Sequence, residues 1–136
     1  MKSLVLAAAL LASVALAVPA RAVVLQTEAR TWKVGPDHRV RVDFPVGALH
    51  VQATDGDEVR VELQVRCRRG GTADCQRKTR RLRLEHTNEG GQLRIKVEGY
   101  PKFDSKGFSL EALVRVPRRL ALNVDMGVGE LKVDGM

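Results

Sequence analysis

The sequence is poor in the residues that most often carry chemistry. It has one Trp, one Tyr and three Phe in 136 residues, only three histidines, and beyond residue 22 only Ser105 and Ser109 as serines. None of the rings is interleaved with the main run of basic residues, so no stacking platform for a nucleic acid is evident, and no nucleic-acid partner is expected. Neither serine lies in a strand–turn–helix elbow, and no Ser/His/Asp arrangement can be read around them. His38, His50 and His86 are scattered, with no acid at a spacing that suggests a site. Asp55, Asp57 and Glu58 surround Gly56, but a calcium loop wants about six or more oxygen ligands in a longer alternation. Asp-Gly between two strands reads instead as a turn. No catalytic residue, cofactor or metal is expected.

Long apolar runs are also missing, with one exception at the N-terminus. Lys2 is followed by an uncharged stretch, Leu4 to Ala20, and by small residues at Ala20 and Ala22. That is the pattern of a signal peptide, with cleavage expected after Ala22. The 17-residue run is shorter than the roughly 20 residues a spanning helix needs, which favours export with cleavage over anchoring. The mature part, residues 23–136, is then a single domain of 114 residues, periplasmic or extracellular and not integral to a membrane. A chain of that size buries roughly 65% of its unfolded surface. Losing Lys2 and Arg21 lowers the net charge from +7 to +5, an excess that favours acidic partners.

Cysteine is sparse, and the two present are close together in "CRRGGTADC". In an exported chain, Cys67 and Cys75 read as a structural disulfide around a Gly-Gly turn. A redox motif has two residues between its sulfurs, where seven stand here, and a zinc site lacks two further ligands. Closing so short a loop stabilises a fold by roughly 2.5 kcal/mol on the chain-entropy argument.

What the sequence has in abundance is alternation. In "VRVELQVRC", Val59, Val61, Leu63, Val65 and Cys67 share one face, and "FSLEALVRV" repeats the pattern with Phe108, Leu110, Ala112, Val114 and Val116. A period of two in β-branched residues marks half-buried strands. "LRLEH" and "QLRIKVE" flank "TNEGG" as a hairpin. Only "TADCQRKTRRL" lacks alternation; its Thr and early Asp predict a short helix near residues 72–82. Trp32 and Phe44 are assigned to the core.

One phrase occurs twice. In "VDFPVGALHV" and "VDMGVGELKV", Val42, Asp43, Val46, Gly47, Leu49 and Val51 recur 82 residues later as Val124, Asp125, Val128, Gly129, Leu131 and Val133. In each copy the apolar positions are even before the glycine and odd after it. A parity flip across a glycine implies a corner, after which a new strand faces the same core. The fold class expected is mainly β: a β-solenoid, right-handed and β-helix-like, or a sandwich-like stack of short strands. As the last strand of a coil, "LKVDGM" has an unpaired outer edge without a polar cap. Two readings follow, a shortened repeat protein incomplete at its C-terminus, which is favoured, and self-association through that edge.

The phrase "G-x-L-x-V…GDEVRVE" from Gly47 to Glu62, followed by "V-x-VP-x-x-L-x-L-x-V-x-x-GVG-x-L-x-V" from Val114 to Val133, resembles the bacterial putative-adhesin family of β-strand repeats. The likeness spans about residues 40 to 136 and rests on spacings of apolar residues and glycines. It implies an exported or envelope-associated stack of short strands, adhesin-like and without a catalytic site. Relatives of that kind commonly continue through further coils, so this chain resembles a shortened member.

Two segments are candidate binding elements. Between residues 66 and 83 there are eight basic side chains (Arg66, Arg68, Arg69, Arg77, Lys78, Arg80, Arg81 and Arg83) against one acid, Asp74. They form a candidate anion-binding cluster for acidic envelope polymers, each charge adding about 1 kcal/mol near an anionic surface; a solvated helix face is the plainer reading. The other is the loop "YPKFDSKGF", where Tyr100, Lys102, Phe103 and Lys106 make a candidate recognition loop. Its aromatics could equally fold back over the core. The function expected is a non-catalytic envelope interaction module, partnered by an acidic polymer or another envelope protein, with polyanion binding as the alternative and an enzyme of unidentified class third.

Overall fold

The computed structural model describes residues 22–68, 72–101 and 107–136. The expected leader, apart from Ala22, therefore lies outside the described residues. In order come β1 (Ala22–Lys33), β2 (Arg39–Thr54), β3 (Glu58–Arg68), α1 (Thr72–Thr79), β4 (Arg83–Glu89), β5 (Gln92–Glu98), β6 (Phe108–Pro117) and β7 (Ala121–Asp134). The fold is mainly β with one short helix, as the alternation predicts.

The alternation decides which face of each strand is buried. Val59, Val61, Leu63, Val65 and Cys67 of β3 are all buried, as are Leu110, Ala112, Val114 and Val116 of β6. The two strands pair antiparallel with Val61 opposite Val114 and Val65 opposite Leu110, so their apolar faces form one wall. The β4–β5 hairpin, turning at Gly90–Gly91, buries Leu84, Leu93 and Ile95 on a second wall. Each fully buried Val, Leu or Ile contributes about 1.5–3 kcal/mol.

β2 joins the two walls. Its first arm, Arg39–Asp43, runs parallel to β5, and its second arm, Ala48–Thr54, runs parallel to β6. Val40, Val42 and Phe44 therefore enter the core from one wall, and Leu49 and Val51 from the other. β5 and β6 together trace the same path as β2, one beside each of its arms. At the far edges β1 approaches β4: the Leu84 backbone N donates to Glu28 Oε2 at 3.2 Å, and the Trp32 and His86 rings lie 5.0 Å apart. The sheet thus nearly closes into a barrel.

The repeated phrase has a direct spatial meaning. β7 lies parallel to β2 from Arg39↔Ala121 to Gln52↔Asp134, with Val42 beside Val124, Gly47 beside Gly129 and Leu49 beside Leu131. The sequence offset of 82 is the strand register. Both corner glycines have positive φ, +133° at Gly47 and +136° at Gly129. A Cβ at Gly47 would overlap the Leu110 carbonyl, and one at Gly129 would overlap the Gly47 carbonyl. Each corner sits directly on the backbone below it, which is why glycine recurs.

Three expectations change. The coil-on-coil stack is shallow: among the described residues only β5, β6 and β7 run parallel to β2, while β1, β3 and β4 pair antiparallel. α1 stops at Thr79 rather than near residue 82, because the chain turns at Arg80–Arg81 to bury Leu82 before β4. Within that last turn Thr79 Oγ1 donates to the Cys75 carbonyl, and the Leu82 N–H donates to the Thr79 carbonyl. The third change is in β7. Its second arm keeps the register of β2, but Leu131 and Val133 are 45% and 44% exposed, whereas Leu49 and Val51 are buried. Among the described residues no strand pairs with the outer edge of β7, so that arm is incompletely covered. Leu122, Val124 and Met126 of its first arm are half-buried against the core.

Candidate functional site

The exposed large hydrophobic side chains among the described residues lie on and just after β7: Val128, Leu131, Val133 and Met136. Along its inner face stand Leu122, Val124, Met126, Leu131 and Val133; along its outer face stand Asn123, Asp125, Lys132 and Asp134. The second arm adjoins a depression of roughly 380 Å³ on the outside of the β3–β6–β2–β7 wall, lined by His50, Glu62, Glu111, Leu113, Glu130 and Lys132 among others. Most of the charged groups there are already engaged. Glu111 pairs with Arg66 at 3.2 Å, Glu62 with Arg60 at 3.0 Å, and His50 Nε2 lies 2.6 Å from Asp134 Oδ2. The His50 hydrogen bond is the main cause that holds the Asp134 carboxyl below its usual range, with Lys132 assisting.

Across the first arm the outer face carries a charge ladder. Asp43 on β2 accepts from Arg94 of β5 at 2.8 Å and from Arg41 at 3.2 Å, and Arg41 reaches Asp125 of β7 at 3.7 Å. Partial burial pushes the Asp43 carboxyl up, but the two guanidinium groups outweigh it and hold it below the usual range. A depressed folded-state pKa contributes stability that is fully present above the unfolded value, near pH 4, and is lost as pH falls through the folded one. Asp43→Asn is therefore expected to lower neutral-pH stability by about 1 kcal/mol. It should also flatten the acid limb of a stability–pH profile below about pH 4–5, as read by urea unfolding across that range.

The sequence-predicted residues that lie among the described ones fall at separate places on the fold. Cys67 and Cys75 form a disulfide with 5.9 Å between their Cα atoms, tying the end of β3 to the buried face of α1. The basic run divides between two surfaces. Arg66 lies on the outer face of β3, bonded to Gln64 as well as Glu111. Arg77 and Lys78 both meet Asp74 on α1, Arg83 meets Glu85 and the Arg81 carbonyl, and the Arg80 and Arg81 side chains are exposed. Arg69 lies outside the described residues, as does the Arg68 side chain. In the recognition loop, the Tyr100 ring sits 5.6 Å from that of Phe108, and both pack against the core. Lys102, Phe103 and Lys106 lie outside the described residues. Sequence reading missed the Arg94–Asp43–Arg41–Asp125 ladder. The recurrence of Asp43 as Asp125 inside an apolar phrase was its only visible sign.

Among the described residues no group of three or more His, Cys, Asp or Glu could hold a metal ion, and no helix is long and apolar enough to cross a membrane.

No family model and no curated protein matches the chain. Among solved structures it is similar to a "putative cell adhesion protein" from Clostridium sporogenes, at 8% identity and a TM-score of 0.45, covering 79% of this chain and 57% of that one. It is also similar to a "putative adhesin" from Bacteroides fragilis, at 18% identity and a TM-score of 0.41, covering 82% of this chain and 44% of that one. The chain spans about half the length of these two proteins.

Proposed function

We propose that this chain is an exported, non-catalytic envelope protein, an adhesin-like module that engages its partner through β7. The observation that carries this reading is the 14-residue strand β7, paired on one side only among the described residues, with a partly exposed apolar face beside its free edge. Backbone N–H and C=O groups on such an edge are a template for another strand. The disulfide and the leader-like first 22 residues support an oxidising compartment outside the cytoplasm. Fractionation of cells expressing the full chain tests both parts. The protein should leave the cytoplasm with Val23 as its new N-terminus and be retained by isolated envelopes. Leu131→Lys/Val133→Lys, which places charge on the exposed arm, should cut that retention at least about tenfold. A cytoplasmic protein with its leader intact, or retention indifferent to those lysines, contradicts the reading.

A second reading is favoured by the exposure of Arg77, Arg80, Arg81 and Arg83 around the helix–turn segment: binding of an acidic polymer. Retention on an immobilised polyanion should then collapse with modest salt and vanish when Arg77, Lys78, Arg80 and Arg81 become Ser. Absence of retention at low salt removes it.

A further inference from the structure

We infer that the partner of β7 is the β7 of a second copy of this chain, paired antiparallel about a twofold axis through the glycine corner; this rests on the reading that β7 is the docking edge. A bent strand can pair with its own copy and keep both interiors on the same side only if the axis bisects the bend, exchanging the two arms. The bend of β7 falls at Gly127–Gly129. An axis between Val128 and Gly129 sets Val124 opposite the partner's Val133 and Met126 opposite the partner's Leu131, so each arm covers the other's exposed apolar face. On the outer face the same register sets Asp125 opposite the partner's Lys132, twice by symmetry.

Charge selects this register over its neighbours. Antiparallel registers that keep apolar positions facing apolar positions differ by two in the sum of paired residue numbers. One step to one side puts Asp125 against the partner's Glu130, and one step to the other puts it against the partner's Asp134. Like charges directly opposite destabilise a strand pair, and opposite charges stabilise it. Of these three registers, only the corner-centred one avoids an acid facing Asp125. The corner itself fits a second copy. At each level of the stack a glycine lies on the backbone below, Gly47 over Leu110 and Gly129 over Gly47. In the twofold pair, Val128 meets the partner's Gly129, so a glycine is again supplied where the strands approach.

Sedimentation equilibrium of the mature disulfide-bonded chain tests the pairing. A monomer–dimer equilibrium is expected. Asp125→Lys and Lys132→Asp should each weaken it at least about tenfold by setting like charges opposite, and the double exchange should restore it to within about threefold of the parent. Circular dichroism in the dilute, monomeric range controls for folding. A monomer at all concentrations, or a dimer that single exchanges do not weaken or the double exchange does not restore, overturns the inference. If the chain is monomeric while Leu131→Lys/Val133→Lys still abolishes envelope retention, self-pairing falls and the docking-edge reading stands.

Discussion

Alanine at Gly47 is expected to destabilise the protein by roughly 3–5 kcal/mol, a large part of the about 5–15 kcal/mol that holds a domain together. Two effects add. A φ of +133° is a conformation that residues with a Cβ rarely adopt, and the new methyl would overlap the Leu110 carbonyl of the neighbouring strand. The obstacle is backbone, which cannot move without disturbing the pairing of β2 with β6 along Ala48–Thr54. Urea unfolding of Gly47→Ala should show the midpoint falling steeply. The same change at Gly129 strains only the stacking of the last strand, so its effect should be smaller. Equal effects at both corners would mean that β7 is as integral to the core as β2.

The second large effect compares the two copies of the repeated phrase directly. Val51 and Val133 are register partners on the same face of adjacent strands, yet Val51 is wholly buried and Val133 is 44% exposed. Val51→Asp puts an unpaired carboxylate among Val, Leu and Ile side chains, and a loss of more than about 4 kcal/mol is expected, enough to prevent folding. Val133→Asp, measured on dilute monomer, should change stability by less than about 1 kcal/mol. A single substitution in one repeated motif thus separates the strand that is core from the strand that is surface. Comparable losses at the two positions would contradict the exposed face on which the proposed docking rests.

Strands whose two faces differ were the legible part of the sequence. β3, β6 and the β4–β5 hairpin alternate because one face meets the core and the other meets water, and their residues record it one by one. The corners were legible for the same reason: turning the chain at Gly47 and Gly129 reverses which parity faces inward. β1 went unread because its described side chains, Thr27 to Lys33, are exposed apart from the half-buried Glu28 and Trp32, and alternate weakly. The burial of β7 could not be read either, since Leu131 and Val133 carry the signature of Leu49 and Val51, and exposure depends on what lies beyond the strand. The ion-pair partners of the basic residues were not legible in the density of the run. Arg66 finds Glu111 45 positions away, and Asp43 finds Arg94 51 positions away. Such pairings are created by strand register and are invisible to local composition. The disulfide needed no such long-range knowledge, because its two cysteines close a loop of local chain.

The account depends most on the two copies of the phrase lying side by side in parallel register. Nuclear Overhauser contacts in the mature, isotope-labelled protein measure this directly. Cross-strand amide–Hα contacts should link Val42 with residues flanking Val124, and Leu49 with residues flanking Leu131, in one unbroken parallel series across Gly47 and Gly129. A series shifted by even one residue, contacts from β7 to a strand other than β2, or chemical shifts placing residues 121–134 in coil would contradict it.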